Sequence, residues 1–149
     1  MQINFLVVGL TAGMSVLGLN AAERIELRNL SGKWTLSAKG LLATKPETTD
    51  MVIEHNGNKF RWTATVTEAG GKQVTQSYDG AVDGIAYPVI QNGAKRAEIA
   101  YVTVDPSTVR SISSLPNGKK TTVTHILSED GKTLTNTSET GVLSVWHKE

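Results

Sequence analysis

The sequence predicts an all-β fold, an antiparallel up-and-down β-barrel of about 8–10 strands that follows an N-terminal signal segment. Three observations carry this prediction. Short stretches rich in Thr, Val and aromatic residues recur along the chain, each of a length typical of a strand. Tight turns built on Gly, Asn and Asp separate them. The stretches also alternate apolar and polar residues, as half-buried strands do.

A twisted meander of this length can close on itself and leave no exposed edge. A two-sheet sandwich is the alternative, but sandwiches usually need long crossover connections.

Composition limits the class of protein. The chain has 149 residues, enough for one domain with a proper core. Lys and Arg number 15 and Asp and Glu 14, which gives a net charge of +1, so no basic face is indicated and we expect no nucleic-acid partner. The sequence contains no Cys. Disulfides, thiolate metal sites and catalytic thiols are therefore excluded.

The N-terminus has the parts of a secretory signal. Residues 1–22 carry no charged side chain and contain a long apolar run, and Asn20-Ala21-Ala22 offers small residues for cleavage. We therefore predict a signal peptide over 1–22 and a barrel domain over 23–149, and expect the protein to be secreted or periplasmic. The alternative is an uncleaved leader that associates the protein with a membrane, because the uncharged run is long enough to span a bilayer of ~30 Å.

The strands follow in chain order. Residues 23–30 are predicted to form a short amphipathic piece with one helical turn. Residues 41–50 contain Pro46 and are predicted as a loop, and residues 79–88 as a glycine-punctuated corner in which Pro88 favours an edge or irregular segment. Around these, alternation and turn signals predict strands at 33–38, 51–55, 59–67, 73–78, 97–104, 108–113, 121–127, 133–138 and 142–148.

The first and last strands carry a resemblance to a known family. Gly32-Lys33-Trp34 resembles the Gly-x-Trp signature of the calycins, the group of the lipocalins and fatty-acid-binding proteins, and residues 143–148 are similar to the last strand of fatty-acid-binding proteins. From Leu30 to the end, the chain resembles small secreted bacterial lipocalin-like domains. The motifs behind this last similarity are Tyr78-Asp79-Gly80, Asp83-Gly84, Tyr87-Pro88 and residues 128–135.

The resemblance implies a container with one closed end. In the calycin pattern the indole of Trp34 packs there, under a basic side chain that Lys148 or Arg110 would supply as a cation–π partner.

The chain departs from the fatty-acid-binding proteins in two ways that concern the fatty-acid site. The gap between the first two strands is too short and polar for the helix pair of fatty-acid-binding proteins. Their carboxylate-binding Arg-x-Tyr is replaced by Ser144 and Trp146, so the fatty-acid headgroup site is not carried over.

The larger inward-facing side chains are the candidate ligand-binding residues. Phe60, Trp62, Tyr101, His125 and Trp146 are predicted to line an interior cavity that holds an apolar ligand. The competing interpretation is that the same side chains fill a solid core.

Metal and cofactor sites are poorly supported by the sequence. His125 lies between Thr124 and Ile126 in mid-strand, and an inward histidine can ligate haem iron, but a single histidine is more often a core residue. No His-Glu-x-x-His spacing occurs. Asp79 and Asp83, each followed by Gly, are interpreted as turn residues, since the alternating spacing of calcium ligands is absent. We expect no metal and no cofactor.

Three functions remain open. The first is an exported lipocalin-like protein, expected to be a monomer, that binds a small hydrophobic or amphipathic ligand inside the barrel. The alternative is an exported structural or protein-interaction domain with a solid core. The third is a small barrel enzyme, which predicts an inward His125 or clustered acids in a wet cavity with shifted pKa values. Interior volume distinguishes these functions, and no nucleophile elbow or phosphate loop is present to favour the enzyme.

Overall fold

The computed structural model of the chain describes residues 24–39 and 48–149. The predicted signal peptide lies outside them, as does most of the predicted loop at 41–50. Among the described residues, no helix has the length and apolar character needed to cross a membrane. The strands are β1 (Gly32–Lys39), β2 (Thr48–Asn56), β3 (Lys59–Thr67), β4 (Gln73–Ala81), β5 (Ala86–Gln91), β6 (Ala94–Asp105), β7 (Thr108–Ser114), β8 (Lys120–Leu127), β9 (Thr133–Ser138) and β10 (Gly141–Lys148).

These ten strands form a closed antiparallel barrel in which each strand pairs with the next along the chain. The first and last strands complete the circle, with Trp34 opposite Lys148 and Leu36 opposite Trp146. The predicted fold class, an up-and-down barrel, is confirmed, and the sandwich alternative is wrong. The architecture is consistent with a calycin-like fold.

Turn chemistry explains the register of the hairpins. Asn56 pairs with Lys59, so the loop between β2 and β3 is Gly57-Asn58, one residue later than the Asn-Gly pair suggests. Between β5 and β6, Asn92 and Gly93 have φ of 48° and 84°. Positive φ at both central residues is the requirement of a type I′ turn, which matches the twist of antiparallel strands.

The corner predicted at 79–88 is wrong in part. β4 continues to Ala81, so Asp79 lies on a strand and not in a turn, whereas Asp83-Gly84 does form the bend between β4 and β5. Pro88 lies within β5. Its missing N–H is tolerated because the pairing of β5 with β4 begins only at Val89. The predicted loop at 41–50 is also too long, since β2 begins at Thr48.

Gly80 allows β4 and β5 to pack closely on the inside of the barrel. A Cβ built on Gly80 would lie 2.6 Å from the hydroxyl oxygen of Tyr78 and 2.6 Å from Cγ of Tyr87. Both neighbours belong to packed rings (Tyr78 is 1% exposed). There is therefore no room for a side chain at position 80. The sequence alone suggests instead that Gly80 is a turn residue.

Trp34 fills the closed end of the barrel. The side chain is 0% exposed, and its Nε1–H donates to the carbonyl oxygen of Leu30 at 3.0 Å. The ammonium of Lys148 lies 5.5 Å from the ring centroid. The expected structural role of Trp34 is confirmed, with Lys148 as its cationic partner. Arg110 is exposed and pairs with Val102 across the β6–β7 ladder.

Residues 24–31, here called the N-terminal strap, cover this closed end. The predicted helical turn is wrong, because the strap has no regular secondary structure. It is held instead by burial of Leu27 and Leu30 and by Arg28. The backbone N–H of Arg28 donates to Pro106 at 2.8 Å, and its guanidinium donates to the carbonyl oxygens of Ser128 and Glu129 at 3.1 and 2.8 Å. These tertiary contacts thus satisfy backbone N–H and C=O groups that the ends of a short helix would leave without hydrogen-bond partners.

Candidate functional site: an interior cavity

The barrel interior contains a cavity of about 260 Å³ above the closed end, partly open to solvent. Its wall is mainly apolar, because strands β2, β3, β7, β9 and β10 each present inward-facing apolar residues to it. The apolar lining consists of Leu30, Met51, Ile53, Phe60, Trp62, Ala64, Val66, Val109, Leu134 and Trp146. The polar lining consists of Thr49, Gln76, Tyr101, His125 and Asn136.

All five residues predicted to bind a ligand border this one cavity. Phe60 and Trp62 reach it from β3, Tyr101 from β6, His125 from β8 and Trp146 from β10. The period of two along each strand places them inside. Their contact with a ligand stays a prediction.

The aromatic residues form one wall whose rings fix one another. The ring centroids of Phe60 and Tyr101 are 4.9 Å apart in an edge-to-face arrangement, and Trp62 stacks on Tyr78 at 6.0 Å. The indole N–H of Trp62 donates to the hydroxyl of Tyr101 at 2.9 Å. Burial raises the pKa values of Tyr78 and Tyr101, so both phenols stay neutral. Such pairs add to the burial of the rings and restrict their motion.

A chain of hydrogen bonds lies beside the aromatic wall, where the ring centroids of Tyr101 and His125 are 5.9 Å apart. We call it the interior polar chain: Ser111, His125, Asn136, Ser144 and Trp146. Nε2 of His125 lies 2.8 Å from Oγ of Ser111, and its Nδ1 lies 2.7 Å from Oδ1 of Asn136. Nδ2 of Asn136 and Nε1 of Trp146 donate to Oγ of Ser144 at 3.0 and 3.1 Å. Strand register creates the chain, since Asn136 is opposite His125 on one side and Ser144 on the other.

His125 is neutral in this setting. Burial lowers the pKa of its imidazole, and the hydrogen bond to Asn136 opposes that shift. The imidazole borders the cavity. Both ring nitrogens are engaged within the protein, so ligation of haem iron would require one of these bonds to break. Within the described ranges, no three His, Asp or Glu side chains are grouped as a metal site requires.

The polar chain has the connectivity of a nucleophile, a base and an orienting group. A Ser Oγ on Nε2 and an amide oxygen on Nδ1 are the contacts that activate a serine in hydrolases. Here, however, Ser111 is only 3% exposed and does not border the cavity. A molecule in the cavity meets His125 and Asn136 instead. In this arrangement the chain satisfies buried polar groups and fixes the cavity wall.

Thr49 differs from the other polar residues of the lining. It is 5% exposed, and its Oγ1 has no hydrogen-bond partner among the described residues. Gln76, by contrast, donates to Gln91 at 3.2 Å. Sequence reasoning missed Thr49, Gln76 and Asn136. Asn136 shares the inward face of its predicted strand with Leu134, so alternation carried a signal for it, whereas Thr49 fell in a predicted loop.

Comparison with known proteins does not assign the chain to a family. No protein-family model matches the chain, and no curated protein matches it in sequence. The class of protein is therefore defined by the structure itself: a closed antiparallel barrel with an apolar interior cavity and one polar wall.

Proposed function

We propose that this chain is an exported lipocalin-like protein that binds a small hydrophobic or amphipathic molecule inside its barrel. The observation that carries the proposal is the apolar cavity of about 260 Å³. Protein interiors are close-packed and contain few voids larger than a water molecule. An apolar cavity of roughly 150 Å³ is enough to bind benzene, so the space in this barrel suffices for a ligand of modest size.

Membership of the calycin group is part of the proposal. It is supported by Gly32-Lys33-Trp34 on the first strand, by the cation–π contact between Trp34 and Lys148, and by closure of the barrel between the first and last strands. Export is supported by the uncharged, apolar character of residues 1–22.

An outer apolar surface supports a second candidate function, that of a protein-interaction domain. Val102, Val104, Ile112 and Ile126 are 43%, 40%, 38% and 43% exposed on the outer face of β6–β8. They share this face with the exposed Arg110, which lies opposite Val102, and exposed apolar surface of this kind can serve in contacts with a protein partner. A protein-interaction domain needs no ligand inside the barrel, so ligand binding in the cavity distinguishes the two candidate functions.

Native mass spectrometry and a fluorescent probe test the primary proposal. We expect the purified chain to carry or accept one small apolar molecule and to bind naphthalene, a neutral two-ring fluorescent probe whose size matches the cavity of about 260 Å³. Ala64→Phe, which fills the cavity, should remove probe binding. Thr63→Phe adds a ring at the neighbouring exposed position of β3 and should leave binding intact. A protein that binds no probe and carries no ligand would refute the proposal, and equal effects of the two variants would place binding elsewhere.

A further inference from the structure

We propose that the outer face of β6–β8 docks on an anionic lipid surface. This inference goes beyond the interior ligand site and does not require the cavity to be occupied. Three observations support it: a continuous strip of exposed apolar side chains, an excess of cations on the same face, and the position of these cations along the barrel.

The exposed apolar side chains of this face form a strip because strand register brings them side by side. The central row consists of Val102, Arg110 and Thr124, which are paired across β6, β7 and β8. Residues whose side chains end in methyl groups continue the strip on both sides of this row. They are Ala100, Ile112 and Thr122 on one side, and Val104, Thr108 and Ile126 on the side of the closed end. Aliphatic groups exposed together in this way are the part of a surface that can enter the boundary between the headgroups and the acyl chains of a bilayer.

Cations outnumber acids on this face and its adjoining hairpins, although the whole chain is close to neutral, with 15 Lys and Arg against 14 Asp and Glu. Arg96, Arg110 and Lys120 form no ion pair with any described residue, so their charges are available to a partner. Each such cation is attracted to an anionic lipid surface. The cations are Lys95, Arg96, Arg110, Lys119 and Lys120, and the acids are Glu98, which pairs with Lys95 at 2.7 Å, and Asp105.

Most of these cations lie at the end of the barrel opposite Trp34, here called the far end. Arg96 lies near the start of β6 and Lys120 begins β8. The antiparallel order of the barrel places both at the same end as the last residues of β3. The cavity extends toward this end, since Val66 near the end of β3 borders it. Docking through the cations therefore brings the end of the barrel toward which the cavity extends close to the lipid.

A lipid surface fits this face better than a protein partner, the occupant that the second candidate function requires. The centres of protein–protein interfaces are enriched in Tyr, Trp and Phe. Tyr101 is the only such residue in β6–β8, and it is buried inside the barrel. Binding to a bilayer requires cations and aliphatic groups but no shape-matched pocket.

Vesicle flotation of the full chain tests the docking. We compare vesicles of phosphatidylcholine with vesicles of equal parts phosphatidylcholine and phosphatidylglycerol. Binding to the anionic vesicles should be at least roughly tenfold tighter and should weaken at high salt, because salt screens exposed charges. Insertion of the apolar N-terminal residues would not depend on lipid charge. Equal affinity for the two kinds of vesicle, or binding to neither, overturns the inference and leaves the proposed function, which naphthalene binding tests, standing.

Two pairs of matched variants locate the contact. Lys120→Gln should weaken binding to the anionic vesicles about fivefold, whereas Lys59→Gln removes the same charge from the exposed first residue of β3 and should have little effect. Val102→Ser should weaken binding several-fold. Val52→Ser changes a valine of similar exposure on β2 (47% against 43% for Val102) and should leave binding intact. Equal effects within either pair place the contact elsewhere and overturn the assignment to this face.

An acidic polypeptide distinguishes a lipid surface from a protein partner. Poly-L-glutamate presents carboxylates without an apolar layer, so we expect it to bind more weakly than the anionic vesicles do. If it binds more tightly than the vesicles, and Lys120→Gln but not Lys59→Gln weakens that binding, the face recognises an acidic protein chain and the inference is overturned.

Discussion

His125 should make the stability of the barrel depend on pH between the neutral and mildly acidic range. Burial lowers the pKa of this imidazole below its ordinary value of 6.5. The unfolded chain therefore takes up a proton at a higher pH than the native protein does. Stability is then fully present above pH 6.5 and falls as the pH drops through that value toward the native pKa. Carboxylates titrate mostly below this window.

The size of the effect follows from linkage. For a histidine that stays neutral in the native state, lowering the pH from about 7.5 to about 5.5 removes at most about 1.4 kcal/mol from the free energy of unfolding. With a urea m-value of about 2 kcal/mol/M, the unfolding midpoint would fall by at most roughly 0.7 M. The hydrogen bond to Asn136 favours the charged imidazole and opposes the effect of burial on its pKa, so we expect a loss below this limit.

Urea unfolding followed by tryptophan fluorescence measures the effect. His125→Gln cannot titrate, so the loss of stability between the two pH values should shrink by about 1 kcal/mol in this variant, whatever its absolute stability. Ile126→Gln places the same side chain at an exposed neighbouring position of β8 and should retain the wild-type dependence. If His125→Gln keeps the full pH dependence, His125 is not the group that titrates and the account of its burial is wrong.

Three further predictions concern packing. Gly80→Ala should destabilise the barrel by about 1–3 kcal/mol, since its Cβ overlaps two tyrosine rings, whereas Gly70→Ala, with open space around it, should be neutral or slightly stabilising; equal midpoints in urea would contradict the steric argument. A double-mutant cycle of Trp34→Leu and Lys148→Met should give a coupling of about 0.5–1 kcal/mol, and additive effects would show that their contact contributes nothing. Arg28→Met should cost about 1 kcal/mol or more and increase hydrogen exchange at the N-terminal strap ahead of the rest of the barrel; unchanged exchange there would refute its role as a fastening residue.

Local pattern was sufficient to predict most strands. The bounds of β3 and β9 agree with the sequence prediction, because strict alternation and flanking turn residues coincide there. The same alternation placed the five candidate ligand residues on the inside, where one cavity unites them. The sequence prediction missed β5, because Pro88 is a local signal against a regular strand. The proline is accommodated because pairing of β5 with β4 begins only at Val89.

The interior polar chain was beyond the reach of local pattern. It joins Ser111 on β7, His125 on β8, Asn136 on β9 and Ser144 on β10, so four strands must be aligned before any of its contacts exists. Ser and Thr at alternating positions are also typical of a solvated sheet face. Only the register of adjacent strands reveals that Ser111 and Ser144 belong to the interior.

The cavity itself is the strongest physical argument that the interior is used. An apolar space of about 260 Å³ forfeits packing contacts that a filled core would give to the side chains lining it. A barrel that served only as a rigid support would gain by placing a larger side chain at Ala64 or Val66, both of which border the space. The polar wall does not explain the volume, because its members are satisfied by one another. An occupant of the apolar part would restore these packing contacts.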